Sequence, residues 1–78
     1  MNIIKAIQQA EKGKCIRNGK LQRIDHYLKC MDNGIFYEYE ITGQGLTVKK
    51  EYKREIQHFS VAYILSNDWE IFDDSGLL

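Results

Sequence analysis

Ile35-Phe36-Tyr37-Glu38-Tyr39-Glu40-Ile41 is the stretch that decides the fold. Its residues alternate: Ile35, Tyr37, Tyr39 and Ile41 fall on one side of an extended chain, and Phe36, Glu38 and Glu40 on the other. A period of two is that of a strand, because successive side chains point to opposite faces of a sheet. Turn signals bound the run, with Asp32-Asn33-Gly34 before it and Gly43-Gln44-Gly45 after it. The strand is bulky on both faces, which a sheet covered by one helix does not need. Its second face is therefore expected to meet a partner subunit or a flat ligand.

The pattern extends outward from this strand. Leu21 to Met31 puts Ile24, His26, Leu28 and Cys30 on one face and Arg23, Asp25 and Lys29 on the other. Before it, Lys14-Cys15-Ile16-Arg17 is a shorter strand ending at Asn18-Gly19, a type I′ turn signal. After it, Leu46-Thr47-Val48 continues the meander and Lys49 to Ile56 reads as an extended edge strand. Ser60 is the N-cap of a short helical turn, Val61 to Leu65, and Trp69 to Phe72 is the last strand. At the other end, Ile3, Ile4, Ala6, Ile7 and Ala10 recur at helical spacing behind the N-cap Asn2, and Gly13 stands at the C′ position. The predicted class is α+β: an N-terminal amphipathic helix packed on an antiparallel sheet of about four to five strands, with a short helical turn before the last strand. One domain is expected over residues 1–78, with 73–78 as a loose C-terminal tail.

Composition narrows the function classes. Eleven Lys and Arg balance eleven Asp and Glu, so nothing pulls the whole chain toward nucleic acid, which demands clustered cations. A nucleic-acid partner is not expected. No apolar run approaches the roughly 20 residues that cross a bilayer, and the N-terminus lacks the apolar core of a secretory signal. Cys15 and Cys30 fit no zinc spacing and suit a reducing compartment. These features predict a cytoplasmic protein outside the membrane. A chain of 78 residues buries only about 60% of its unfolded surface, so self-association is the expected reinforcement.

Catalysis requires a nucleophile beside a base, paired carboxylates or a metal. Cys15 with His26 or His58 is the one conceivable nucleophile pair. A cysteine in a short apolar strand more often packs as a small hydrophobe, and a histidine on an apolar face more often packs than ligates. Glu38 and Glu40 share a strand face that reads as solvated. No enzyme, no cofactor, no metal and no catalytic residue are expected.

Three motifs in order carry a family resemblance. They are Ile3-x-x-Ala6-Ile7 in the first helix, Gly13-Lys14-x-Ile16-Arg17 entering the strand, and the closing Ser60-x-x-x-Ile64-Leu65-x-x-Asp68-Trp69-Glu70-Ile71. In these the chain resembles the phage Thoeris anti-defence sponge family of the second type, small proteins that sequester the cyclic ADP-ribose signal of host immune enzymes. It departs from that pattern at Lys20-Leu21-Gln22 and at Ile56-Gln57-His58-Phe59, where the family carries tryptophan and proline. The resemblance implies a homo-oligomer, dimer or tetramer, acting in the host cell cytoplasm. Its pockets would bind a cyclic nucleotide between subunits without turnover, inhibiting anti-phage defence. On that reading Arg17 grips phosphate with its planar fork and Lys20 adds a point charge. Trp69 or Phe59 stacks on the base, and Ser60, Asn67 and Asp68 read base edges and hydroxyls. The alternative is a small oligomeric protein-interaction module with no small-molecule ligand.

Overall fold

A computed structural model describes residues 1–77. Helix α1 spans Ile3–Glu11. Its N-cap works as expected, with Asn2 Oδ1 accepting the Lys5 N–H at 2.9 Å, and Gly13 ends it at φ +92°. Ala6 and Ala10, one turn apart, are fully buried, and their small size lets the helix lie close against the sheet. Ile4 turns outward instead of joining them and is exposed. At about 100° per residue it falls outside the stripe that Ile3, Ala6 and Ala10 set.

Five strands follow: β1 (Cys15–Asn18), β2 (His26–Cys30), β3 (Phe36–Thr42), β4 (Lys49–Ile56) and β5 (Trp69–Phe72). They form one antiparallel sheet in the order β4-β3-β2-β1-β5. The segment containing helix α2 (Val61–Leu65) links the two edge strands. Ile16, Leu28, Phe36 and Trp69 meet Ile3, Ala6 and Ala10 in the core between sheet and α1. Trp69 anchors it. Its ring sits edge-on to Phe59 and Tyr63, each at 5.7 Å between centroids, and its Nε1 donates to the Tyr63 carbonyl at 3.0 Å.

Three expectations about the chain between strands are corrected. Residues 21–25 do not belong to the second strand, whose ladder begins at His26. The cause is Asn18, which is buried. Its Oδ1 accepts the Lys20 and Leu21 N–H groups at 3.1 and 3.0 Å, and its Nδ2 donates to Ser66 Oγ at 2.9 Å. This side chain satisfies the backbone that a ladder would otherwise claim. Neither Asn18 nor Gly19 has a positive φ, so the turn is not type I′. Leu46 to Val48 is no strand either, because Gly45–Thr47 is a 3-10 turn. Gly43 makes it possible at φ +88°, where a Cβ would strike the Thr47 carbonyl oxygen.

The second sheet face is partly closed by the chain itself. Tyr27 is fully buried there, stacked on Tyr39 at 5.6 Å and tilted against Phe72 at 4.8 Å. A buried phenol needs an acceptor, and Asp74 Oδ2 accepts the Tyr27 hydroxyl at 3.2 Å while meeting Lys50 Nζ at 3.6 Å. The expected loose tail is therefore pinned at Asp74. Leu78, the end of that expected tail, lies outside the described residues.

Two outcomes follow for stability. Trp69→Phe keeps the ring stack but removes the Nε1 bond to the Tyr63 carbonyl, which the Ser66 N–H still reaches at 3.4 Å, so it should cost about 0.5–1.5 kcal/mol. Trp69→Ala should cost about 3–5 kcal/mol and leave little cooperative unfolding in urea. If Trp69→Ala melts with the parent, Trp69 is not the anchor. Burial pushes the Cys15 thiol up to about 11, and the Asp74 charge adds to the effect. The unfolded chain releases that proton more readily, so the stabilisation is complete below about pH 8.5 and is lost as pH rises through about 11. Tyr27 is pushed up by the same burial and by Asp74, adding a further fall above about pH 10. Urea midpoints should thus decline from about pH 9, and Cys15→Ala should remove the part of the decline below about pH 10. An unchanged profile in that variant would refute the assignment.

Candidate functional site

A break in register builds the most elaborate polar site. Glu38 pairs with Arg54, but Tyr39 pairs with Tyr52, so Lys53 is an extra residue in β4. Consecutive strand residues normally face opposite sides, and a bulge re-aims one of them. Here Lys53 and Arg54 both line the same cleft, about 430 Å³ in volume, on the helix side of the sheet. Gln22 and Arg23 from the β1–β2 connection, His26 from β2, Glu38 from β3 and Tyr63 from α2 complete its wall.

Glu38 lies at the centre, with its side chain 6% exposed. A carboxylate taken out of water is costly unless its oxygens are satisfied. Oε1 accepts Arg54 Nε at 2.9 Å and Oε2 accepts Gln22 Nε2 at 3.0 Å. Arg54 is by contrast 66% exposed. The Nε bond is its one side-chain hydrogen bond among the described residues, so both Nη groups remain for an incoming acceptor. Glu40 divides its oxygens, Oε1 meeting Lys53 Nζ at 3.4 Å and Oε2 meeting His26 Nε2 at 3.3 Å. Burial pushes the Tyr63 phenol up, with the Glu38 charge adding to it, so the hydroxyl remains a donor at neutral pH. Arg54 and Tyr63 also border a second opening of about 480 Å³ that includes His58 and Ser60. The two openings adjoin across these side chains.

The residues expected from sequence are scattered. Arg17 is on the opposite sheet face, and its fork is engaged: Nε donates to Glu70 at 2.6 Å, Nη1 to the Ile24 carbonyl at 3.3 Å, and the guanidinium lies 5.1 Å over Phe72. Trp69 is opposite Asn18 in the ladder while Arg17 is opposite Glu70, so Arg17 and Trp69 project to opposite faces. Lys20 does meet Asp68, at 3.9 Å. Asn67 is exposed, and its carbonyl accepts from the Met1 amino group at 3.1 Å. Phe59 packs on Phe36 and Trp69. Ser60 caps α2 by accepting the Tyr63 N–H at 3.3 Å and borders the second opening. Cys15 and His26 fall on opposite faces as well, since Ile16 pairs with Leu28; that nucleophile pair does not form.

The sequence reading of Glu38 on a solvated strand face is corrected, since Glu38 is buried, and Lys53 and Arg54 carried no expected role. One signal was present: Phe36 shares their face of β3, and a core phenylalanine draws the neighbouring Glu38 inside. The bulge left no comparable mark.

The two cations should differ in worth. Arg54→Ala leaves a buried carboxylate short of a partner and should cost about 1.5–3 kcal/mol. Lys53→Ala removes a half-exposed pair whose carboxylate keeps His26 as a partner, and should cost less than about 1 kcal/mol. Equal urea midpoints for the two variants would contradict the role assigned to Glu38. Comparison with known proteins identifies no relative: no protein-family model matches the chain, and no curated protein or solved structure matches it.

Proposed function

We propose that this chain is a sponge, binding a cyclic nucleotide signal of the cyclic ADP-ribose kind and holding it without turnover. Acting in the host cell cytoplasm, it would keep the signal from an anti-phage defence. The observation that carries this reading is the oriented Arg54 fork, fixed through Nε by the buried Glu38, with Lys53 re-aimed beside it. Such a fork meets phosphate bidentately and gives up little freedom on binding. The sequence motifs from Ile3 to Ile71 point to the same class of ligand. A cleft of about 430 Å³ is within the range of small-molecule sites.

A sponge needs enclosure, and a second copy is the natural source. Val61, Ile64 and Leu65 on α2 are exposed apolar side chains, next to the second opening at Ser60 and Tyr63. Covering them would close both openings and form the dimer or tetramer that the motifs imply. The same apolar side chains favour the second reading, a protein-interaction module without a small-molecule ligand.

Calorimetry with cyclic ADP-ribose isomers and related cyclic nucleotides distinguishes the two. At least one should bind, and chromatography of heat-released ligand should return it intact. Arg54→Lys keeps the charge but not the fork, and should weaken binding about tenfold or more, or about 1.4 kcal/mol. Arg17→Ala should bind as the parent does. A parent that binds none of these nucleotides, or an Arg54→Lys variant equal to it, would sink the sponge reading.

A further inference from the structure

We propose that Asp25, His26 and Glu40 form a binding site for a transition-metal dication, with zinc the ion that fits best. The ligand atoms of these three residues lie within 4.8 Å of one another. His26 Nε2 stands 3.3 Å from Glu40 Oε2 and 3.8 Å from Asp25 Oδ1. Around a tetrahedral zinc with bonds of about 2.0–2.1 Å, neighbouring donors are about 3.3–3.5 Å apart. Of the three donor pairs, His26–Glu40 already has that separation, and a rotation of Asp25 toward the ion closes the two that involve Asp25, which lie within 4.8 Å.

A second observation concerns the other ring nitrogen. His26 Nδ1 faces Glu38 Oε2 at 3.7 Å, and Glu38 is itself held by Arg54 and Gln22. Ligating histidines commonly present the far nitrogen to a carboxylate, which fixes the tautomer and aims the free lone pair at the metal. Glu38 is a positioning residue in this arrangement, not a ligand.

The existing ion pairs leave room for the metal. Lys53 uses Glu40 Oε1, whereas His26 faces Oε2. Arg23 is bound to Asp25 Oδ1 at 3.4 Å with its side chain 75% exposed, so displacing it loses little. One imidazole and two carboxylates select a borderline ion over calcium or magnesium, which prefer oxygen alone. Three protein donors leave a fourth position for water or an anionic ligand group. The site joins the β1–β2 connection to β3, elements that the two side-chain carboxylates would tie together.

The test uses zinc alone, so it is independent of any nucleotide. After chelator treatment, the chain should take up one zinc per copy in calorimetry, and cobalt should develop the visible absorption of a tetrahedral site. His26→Ala and Glu40→Gln should each weaken uptake at least tenfold. Glu38→Gln should weaken it by about 10–100-fold, and Cys30→Ser should leave it unchanged. Circular dichroism verifies folding, and Glu40→Gln carries the test alone if His26→Ala does not fold. No uptake by the parent, uptake that survives Glu40→Gln, or uptake lost in Cys30→Ser would overturn the proposal.

Discussion

The arrangement on the helix side of the sheet depends on one carboxylate kept away from water. Glu38 shares its strand face with Phe36, a core residue, and so cannot turn outward without breaking the ladder. Removing a charge from solvent costs several kcal/mol, and only close partners with good geometry offset it. Gln22 and Arg54 provide them. The irregular β1–β2 connection carries Gln22, and the bulged β4 carries Arg54. The connection has no ladder at Gln22, and β4 breaks its register immediately beside Arg54, so the carboxylate holds both toward the middle of the sheet.

The faces of the sheet consequently differ in character. On the helix side, charge is concentrated around an opening, and Arg54 retains uncommitted donors. On the other, charge is consumed internally: Arg17 by Glu70 and Phe72, and Lys50 by Asp74 and the Tyr39 ring. Tyr37 and Tyr52 pair at 5.1 Å on that side, continuing the aromatic layer toward β4. The expectation of bulk on both faces of β3 is met, but much of the second face is covered from within by Phe72 and the Asp74 turn.

Periodicity made the architecture legible. The alternation of residues 35–41, the capped helix after Asn2, the short helix after Ser60 and the last strand at Trp69 all appear where period and caps put them. Side chains that act on the backbone were harder to read. Asn18 looks like a hairpin residue until its amide is seen to cap Lys20 and Leu21 while bonding Ser66. Lys53 and Arg54 read as opposite faces under strict alternation, and only the pairing with β3 reveals the inserted residue. Arg17 was legible as a strand-end cation, but not its partners, which come from 53 positions away at Glu70 and from the Ile24 carbonyl. Local rules locate elements; the partner of a charge is a long-range fact.

The edge strand β4 limits how copies of this chain can add to one another. Lys49, Lys50, Lys53 and Arg54 line it, and its bulge spoils the straight row of backbone donors and acceptors that another strand would copy. At the other edge, Met1 already lies against Trp69, whose N–H donates to the Met1 carbonyl at 3.2 Å. Growth by sheet extension, the route to open-ended fibres, is thus discouraged at both margins. In the assembly proposed above, contacts between copies fall to the surfaces around α2, and self-matching patches of that kind close into assemblies of fixed number. The molecule's edges therefore favour counting over polymerising.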